Sequence, residues 1–256
     1  MSRGNPATPA NAAAPVNGPT PANAAAPAMS PAGGGPASSA NSTNGDRETR
    51  ERLLTAAERL FAQRGFKDVT VREICHEAHA NVAAVNYHFG DKMGLYREVL
   101  QLAIDAIRSA TEAARQAGRG LAPEEQLRSY IRLFLHRLLA PGSETIHKIV
   151  NRELSDPTPA LDDLVEQAVR PRVEYLSGVV AGMLGCELSD PRVLRCVGSV
   201  QSQSIMYARP NPIAERLGFT FKATSSEIDE AARHIAEFSV AGVQAIGHIA
   251  ERTDRS

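Results

Sequence analysis

Apolar residues recur with the helical period along most of the chain from residue 46 onward. In the first such segment, four of them share one helical face at positions i, i+4, i+7 and i+8: Leu53, Ala57, Leu60 and Phe61. Gly65 follows this face and is suited to end the helix in a left-handed conformation. Almost no segment alternates apolar and polar residues as a strand would, so the pattern predicts an all-α protein.

Further helical segments are predicted along the rest of the chain, which gives about nine helices in total. They lie near residues 70–78, 82–88, 92–117, 124–139, 144–154, 160–184, 191–208 and 226–250. Proline-containing breaks separate them. Pro171 falls inside the 160–184 segment, where it removes one backbone hydrogen bond and frees the carbonyl of Gln167. We therefore expect a kink there.

Residues 70–89 predict a helix-turn-helix. Thr70 followed by Glu73 is a capping box, which satisfies the first free N–H groups of a short helix. After two turns and His79, Asn81 is a strong N-cap for a second short helix. Two short helices joined by a tight turn form a helix-turn-helix, whose second helix enters the major groove of DNA.

The run from Asn81 to Lys92, Asn-Val-Ala-Ala-Val-Asn-Tyr-His-Phe-Gly-Asp-Lys, with Leu95 and Tyr96 after it, resembles the helix-turn-helix of the TetR family of bacterial repressors. The resemblance implies an all-helical homodimer that binds a palindromic double-stranded DNA operator and needs no cofactor. It also implies a DNA-binding domain over residues 46–107 and an effector-binding and dimerisation domain over residues 108–256.

By position in this motif, the expected DNA-facing residues are Thr70, Asn81, Val82, Ala83, Asn86, Tyr87, His88 and Lys92. Lys92 supplies a positive charge for a phosphate, and Tyr87 and His88 can donate hydrogen bonds to phosphate oxygens. Val82 and Ala83 can pack on thymine methyl groups, and Asn86 can read adenine. Val85 and Phe89 are assigned to the core.

Two features depart from the usual pattern of such a domain. Between Asp46 and Glu98 there are nine Lys or Arg residues and nine Asp or Glu residues, so the domain lacks a basic excess. His79 stands in the turn where the family usually has glycine. Histidine tolerates a left-handed backbone better than most residues, so we expect the turn to form with some strain.

The segment from Arg152 to Asp162, with Val169 to Val173 after it, is similar to TetR regulators that have a CecR-like C-terminal domain. That subset is associated with genes for drug efflux and detoxification. The resemblance therefore predicts a ligand-responsive repressor of such genes, with a small-molecule effector.

Glu153 and Gln201 are the candidate effector contacts. Glu153 lies on an apolar helical stripe, and a buried carboxylate is costly unless it is paired. It is either an internal salt-bridge partner of Arg170 or Arg172, or a group that meets an effector. Gln201 either points into a pocket or makes a hydrogen bond between helices.

The last helix carries apolar and small residues at spacings of four and three, and small residues let another helix approach closely. The candidate dimer interface comprises Ile235, Ser239, Gly242 and Ile246. A helix buried within its own subunit would show the same periodicity, so this alternative stays open.

Composition narrows the remaining classes of function. Residues 1–45 are rich in Ala, Pro, Asn and Gly, with almost no large apolar group, so we expect a disordered tail. No apolar run is long enough for a membrane span or a signal peptide, which predicts a cytoplasmic protein. The three cysteines are expected to be free thiols.

No catalytic motif accompanies the helix-turn-helix, and we expect no enzyme and no metal site. His76 and His79 are three residues apart, whereas the helical zinc motif requires histidines four apart. The alternative function, favoured by the missing basic excess, is a helical protein that binds small molecules without contacting DNA.

Overall fold

The structure is a computed structural model that describes residues 38–208, 212–218 and 221–253. Within these ranges all the regular secondary structure is helical and no strand occurs, which confirms the predicted all-α class. The helices are α1 (Ser38–Arg64), α2 (Val71–Glu77), α3 (Val82–Phe89), α4 (Lys92–Ala117), α5 (Pro123–Leu138), α6 (Glu144–Ser155), α7 (Leu161–Leu164), α8 (Arg170–Leu184), α9 (Pro191–Met206), α10 (Pro212–Arg216) and α11 (Ser225–Thr253).

The tail predicted for residues 1–45 lies outside the described residues as far as residue 37. Helix α1 begins at Ser38, earlier than the hydrophobic pattern predicts. Pro36 is the last proline before this helix, and none of residues 38–45 except Gly45 disfavours helical backbone strongly. A polar segment of this kind can therefore extend a helix that the apolar face downstream stabilises.

An N-terminal core joins α1–α4 to α6 and to the segment around α7. Leu53 and Phe61 of α1 are buried in it, together with Val85 of α3. The predicted apolar face of the first helix is thus confirmed. Gly65 ends α1 with a φ of 84°, and its N–H donates to the Phe61 carbonyl at 2.8 Å, as the sequence predicts.

A second core is built from α5, α8, α9 and α11. Leu127, Ile131 and Leu135 of α5 are fully buried in it, and α11 packs along α5 with Ile235. The long helix α4 runs from the N-terminal core into this second core, where its residue Ala114 is buried. Because α4 follows the helix-turn-helix directly, it connects the two parts of the molecule.

The helical segment 160–184 is interrupted, as Pro171 predicts. Residues Val165–Val169 form one π-helical turn between α7 and α8, and Pro171 is the second residue of α8. A wider turn accommodates a proline because the ring cannot donate the hydrogen bond that a regular α-helix needs. The expected kink therefore takes the form of a π-helical turn.

Candidate nucleic-acid interface and ligand cavity

The helix-turn-helix begins with the predicted capping box. The Thr70 hydroxyl accepts from the Glu73 N–H at 3.3 Å, and the Glu73 carboxylate accepts from the Thr70 N–H at 2.7 Å. Arg64 at the end of α1 also donates to Glu73, at 2.7 Å. This last contact is the main reason why the pKa of Glu73 falls to about 2. The start of α2 is thus bonded to the end of α1.

The turn between α2 and α3 has the predicted geometry. His79 has a φ of 50°, so this histidine adopts the left-handed conformation that glycine would adopt more easily. Asn81 then caps α3, because its side-chain oxygen accepts from the Ala84 N–H at 2.9 Å. Both local predictions for the turn are confirmed.

Helix α3 separates a buried face from an exposed face. Val85 is fully buried and Phe89 is 9% exposed, which confirms their assignment to the core. On the other side Tyr87 is 74% exposed and Val82 is 43% exposed. Ala83 and Asn86 are also exposed. These four residues lie on one helix and are accessible to a partner, as residues that read DNA bases must be.

The other expected DNA contacts are partly engaged within the chain. Thr70 and Asn81 are exposed, but each uses its side-chain oxygen as a helix cap. His88 is half-buried and packs edge-on against Tyr87, with 4.9 Å between the ring centroids. Asn81 and His88 can still donate a hydrogen bond to a phosphate, whereas the Thr70 hydroxyl already donates to the Glu73 carboxylate at 2.7 Å.

Lys92 stands at the N-terminus of α4, next to the capping residue Asp91. Its ammonium group lies 4.3 Å from the centroid of the Phe66 ring, a cation–π contact. Partial burial lowers the pKa of Lys92, while the negative charges of Asp68 and Glu73 oppose this change. The aromatic ring thus holds the amine beside the helix-turn-helix.

Ion pairs neutralise most of the positive charge of this domain. The pairs are Arg47–Glu51, Arg50–Glu98, Arg52–Glu48, Arg59–Glu77, Arg64–Glu73, Lys67–Asp156 and Arg97–Asp163. Of the nine basic residues from 46 to 98, this leaves Arg72 and Lys92 without an ion pair among the described residues. Arg72 is exposed on α2. The sequence alone does not single out Arg72, because one basic residue in a helix is no signal until the pairing of its neighbours is known.

A cavity of about 490 Å³ lies between α4, α5, α6, α8 and the end of α9. Its wall is mostly apolar, with Ile107 of α4, Phe134 of α5 and Val150 of α6 among the lining residues. A volume of this size is within the range of small-molecule sites, about 300–1,000 Å³. The cavity therefore has room for a drug-sized ligand.

Three polar groups of the cavity wall have a buried atom without a hydrogen-bond partner among the described residues. They are the Tyr130 hydroxyl, His147 Nε2 and Arg172 Nε. Burial raises the pKa of Tyr130 to about 12 and lowers the pKa of His147. Buried polar groups without partners are uncommon in folded proteins, so their concentration at one cavity indicates a binding site.

The salt bridge to an arginine, one of the two alternatives predicted for Glu153, is wrong. The Glu153 side chain is fully buried, but its carboxylate accepts from the Tyr96 hydroxyl at 2.6 Å and from Thr158, at 2.8 Å from the backbone N–H and 3.0 Å from the hydroxyl. Arg170 is exposed and pairs with Glu166 instead. Glu153 also lies on the face of α6 that turns away from the cavity, so it is not among the lining residues.

Gln201 does not line the cavity either. It lies on α9 one turn before Ile205, where the cavity wall begins on that helix. Its side-chain nitrogen is buried and has no hydrogen-bond partner among the described residues, so the predicted interhelical hydrogen bond from this nitrogen is not found.

The candidate dimer interface on α11 needs correction. Ile235 is 2% exposed and belongs to the second core, and Ser239 is 4% exposed and accepts a hydrogen bond from Gln203 of α9 at 3.3 Å. The periodicity there reflects packing on α5, α8 and α9 within the same chain. Gly242 is half-buried, and Ile246 is 38% exposed and remains accessible.

Over the described ranges, no helix combines the length and the apolar character that a membrane crossing requires. Nor do these ranges bring together three histidine, cysteine, aspartate or glutamate residues that could hold a metal ion.

Two family profiles match the chain. Residues 53–99 match the profile of bacterial regulatory proteins of the TetR family, and residues 123–243 match the C-terminal domain of the HTH-type transcriptional dual regulator CecR. The first match spans the helix-turn-helix, and the second spans α5 to α10 and most of α11.

Individual relatives give the same result. The CecR regulator of Shigella flexneri is 30% identical over 156 residues, which are 57% of this chain and 70% of the relative. The transcriptional repressor BepR of Brucella suis is 38% identical over 53 residues, 21% of this chain and 25% of the relative.

Solved structures share the fold. A TetR-family regulator from Streptomyces coelicolor aligns with a TM-score of 0.55 and 23% identity, covering 77% of this chain and 97% of that one. A transcriptional regulator from Pseudomonas aeruginosa aligns with a TM-score of 0.57 and 18% identity, covering 77% of this chain and 92% of that one.

Proposed function

Because the chain belongs to the TetR family and has a C-terminal domain of the CecR type, we propose that it is a homodimeric repressor of efflux or detoxification genes that releases its operator when a small molecule binds. That the protein is a DNA-binding transcriptional regulator and not an enzyme follows from the family. The repressor assignment is supported by the similarity of a 53-residue segment to the repressor BepR. We place the protein in the cytoplasm, with the DNA.

The observation that carries this proposal is α3, with Val85 and Phe89 buried beneath an exposed row of Val82, Ala83 and Asn86, and Tyr87 at its end. In the complex, α3 enters the major groove of a palindromic operator. Val82 and Ala83 contact thymine methyl groups, and Asn86 reads a base edge.

The phosphate contacts come from the edges of the motif. Tyr87, His88 and Asn81 donate hydrogen bonds to phosphate oxygens, and Lys92 supplies a positive charge. We add Arg72, because it and Lys92 are the two basic residues of the domain that form no ion pair within the described ranges. A domain without a basic excess can bind DNA if its uncompensated charges lie beside the reading helix.

An electrophoretic mobility shift with DNA from upstream of the protein's own gene tests this role. Lys92→Ala and Arg72→Ala should each weaken binding and reduce the slope of log affinity against log salt by about 1. Arg108→Ala, which removes an exposed charge from α4 outside the motif, is the matched control and should change neither quantity.

The alternative function, a small-molecule-binding protein without DNA contact, makes the opposite prediction. It would be favoured if the folded wild-type protein shifted no upstream fragment at low salt. An unchanged salt slope in both alanine variants would remove the proposed phosphate contacts while leaving DNA binding itself intact.

The dimer interface that we propose is the exposed apolar surface of α9 and α11. On α11, Phe238 is 64% exposed and Ala241 and Ala245 are exposed one and two turns later, while Ile246 is 38% exposed. On α9, Leu194 is 61% exposed. Large exposed apolar residues in contiguous stripes are typical of protein interfaces.

Light scattering tests this interface. Phe238→Glu should convert the dimer into a monomer and abolish binding to the palindrome, because one subunit reads only one half-site. Leu121→Glu, which places the same charge on an exposed leucine between α4 and α5, is the control. A soluble Phe238→Glu protein that stayed dimeric would move the interface elsewhere.

Helix α6 is positioned to transmit a signal from the cavity to the DNA-binding domain. Ile146 and Val150 line the cavity, while Ile149 belongs to the N-terminal core. Arg152 donates to the carbonyl of Gln63 near the end of α1, at 2.7 Å. A ligand that favours a shifted α6 would change the spacing of the two recognition helices, and only such a difference in affinity can release DNA.

A further inference from the structure

We infer that the ligand of the cavity is an organic anion with an apolar body, and that its negatively charged group binds Arg172 and the hydroxyl of Tyr130. The inference rests on the proposed function, because it assigns a chemical class to the effector that the cavity would bind.

Arg172 is the charge that determines this class. Its Nε is buried without a hydrogen-bond partner, and no carboxylate of the described residues pairs with it. The nearby Arg170 provides the contrast, because its guanidinium is exposed and holds the Glu166 carboxylate at 2.5 and 2.7 Å. A guanidinium with a desolvated donor is unfavourable unless an anion compensates it, and a carboxylate or sulfonate fits its geometry.

Aromatic rings hold Arg172 in place at the cavity wall. Its guanidinium carbon lies 5.5 Å from the centroid of the Phe134 ring, and the Tyr130 ring stacks on Phe134 with 5.5 Å between centroids. The three side chains therefore form one cluster. A fixed orientation reduces the entropy that binding an anion would cost.

Tyr130 supplies a neutral donor to the same group. Its side chain is 2% exposed, and its hydroxyl has no partner in the described part of the chain. Burial raises the pKa of this phenol, and the positive charge of Arg172 partly offsets the rise, which agrees with the closeness of the two groups. The hydroxyl therefore stays protonated and can donate to an anion at neutral pH.

His147 of α6 requires a hydrogen-bond donor on the ligand. The ring is hydrogen-bonded to the carbonyl of Leu138, and burial lowers its pKa, so it is neutral near pH 7. A neutral imidazole that donates to a carbonyl from one nitrogen presents a lone pair on the other. The unpartnered Nε2 therefore accepts a hydrogen bond, and the ligand has an N–H or O–H group there.

The rest of the wall is apolar and binds the body of the ligand. Ile107, Ala110, Ile146 and Val150 lie on α4 and α6, and the volume of about 490 Å³ suits a molecule with one or two rings. A purely apolar ligand would leave Arg172 uncompensated, and a cationic ligand would be repelled by it.

Two fluorescent probes with the same aromatic skeleton test the charge requirement on the full chain. 8-Anilinonaphthalene-1-sulfonate carries an anionic group and an N–H donor, and N-phenyl-1-naphthylamine is the same molecule without the sulfonate. We expect the wild-type protein to bind one sulfonate probe per chain and to bind it at least about tenfold more tightly than the neutral probe, since a charge-assisted hydrogen bond contributes about that much.

Two variants remove the anion-binding groups. Arg172→Met should weaken the sulfonate probe about tenfold or more and leave the affinity for the neutral probe within about twofold. Tyr130→Phe should weaken the sulfonate probe about threefold to tenfold. Arg170→Met removes a charge two residues away whose partner is known, and it should change neither affinity. A thermal melt of each variant establishes that it is folded.

The inference is overturned if folded Arg172→Met binds the sulfonate probe as tightly as the wild-type protein does, or if it loses both probes equally. If Arg172→Met does not fold, the same criteria apply to Tyr130→Phe. The inference is then overturned if this variant binds the sulfonate probe as tightly as the wild-type protein does, or if it loses both probes equally. The mobility shift separates this result from the proposed function. Charge-selective binding with no release of operator DNA at saturating probe would support the ligand class and count against sulfonate-driven release.

Discussion

The two faces of helix α6 differ in whether their buried polar groups have hydrogen-bond partners. On the face toward the DNA-binding domain, the Glu153 carboxylate is fully buried and accepts three hydrogen bonds, one from Tyr96 and two from Thr158. On the face toward the cavity, His147 Nε2 is buried with no partner in the described ranges. The contrast separates groups that hold the protein together from groups that are available for a ligand.

The face of α6 that carries Glu153 connects this helix to the aromatic residues of the N-terminal core. Tyr96 packs edge-on against Phe61 and lies 5.0 Å from Phe66, measured between ring centroids. Phe66 is the ring beneath the Lys92 ammonium. A continuous set of contacts therefore runs from Glu153 to a residue proposed to bind phosphate. Contiguity alone does not carry a signal, but it shows where a movement of α6 would be felt.

The largest effect on stability is expected from Glu153→Ala. The change leaves the buried Tyr96 hydroxyl and the part-buried Thr158 N–H without their acceptor and also creates a cavity. Together these should lower the free energy of unfolding by roughly 2–4 kcal/mol, measured in urea. Glu153→Gln, which keeps one acceptor and the volume, should lose less. A loss below about 1 kcal/mol for the alanine variant would mean that the bonds around Glu153 are not structural.

A smaller loss is expected from Tyr96→Phe. The ring keeps its packing, but the 2.6 Å hydrogen bond to Glu153 is removed, and hydrogen bonds to charged groups contribute about 1.5–3 kcal/mol. In a double-mutant cycle, Tyr96→Phe and Glu153→Gln should be strongly non-additive. Additive losses would show that the two side chains do not depend on each other.

The fold and the DNA-facing helix could be predicted because their signals are local. A capping box, an N-cap and a left-handed turn each involve residues within a few positions of one another, as Thr70 with Glu73 and Asn81 with Ala84 illustrate. The His79 conformation follows from the spacing of two short helices. No information about distant parts of the chain is needed for any of them.

The errors concern pairings between distant residues. A carboxylate on an apolar stripe requires partners, but one partner of Glu153 is Tyr96, 57 positions away, and nothing local favours it over Arg170. The apolar stripe on α11 was misinterpreted for the same reason. Periodicity identifies a buried face, but it does not show whether the neighbour of that face is α5 or another subunit. Ile235 and Ser239 are in fact buried within their own chain.

The free energy of unfolding should also depend on pH, through His147 on the cavity face of α6. Burial lowers the pKa of His147 in the folded state below its ordinary value of 6.5, so the unfolded state binds more protons in the acidic range. This contribution is fully present above pH 6.5 and is lost as the pH falls through the folded pKa. We expect His147→Gln to flatten the stability profile below pH 6.5, and the exposed His76→Gln to leave it unchanged. A profile of equal slope in both variants would exclude His147 as a source of the dependence.

The smallest effect, close to zero, is expected from Tyr130→Phe, and it is the sharpest test of the contrast because it repeats the chemistry of Tyr96→Phe. Both tyrosines are 2% exposed, and both variants remove one hydroxyl and keep the ring. The Tyr130 hydroxyl has no partner among the described residues, so its removal also removes a desolvation cost. The free energy of unfolding should change by less than about 0.5 kcal/mol or rise slightly, in the same urea titration that records the loss for Tyr96→Phe. If Tyr130→Phe were as destabilising as Tyr96→Phe, its hydroxyl would have a structural partner, and the polar groups of the cavity would no longer indicate a ligand.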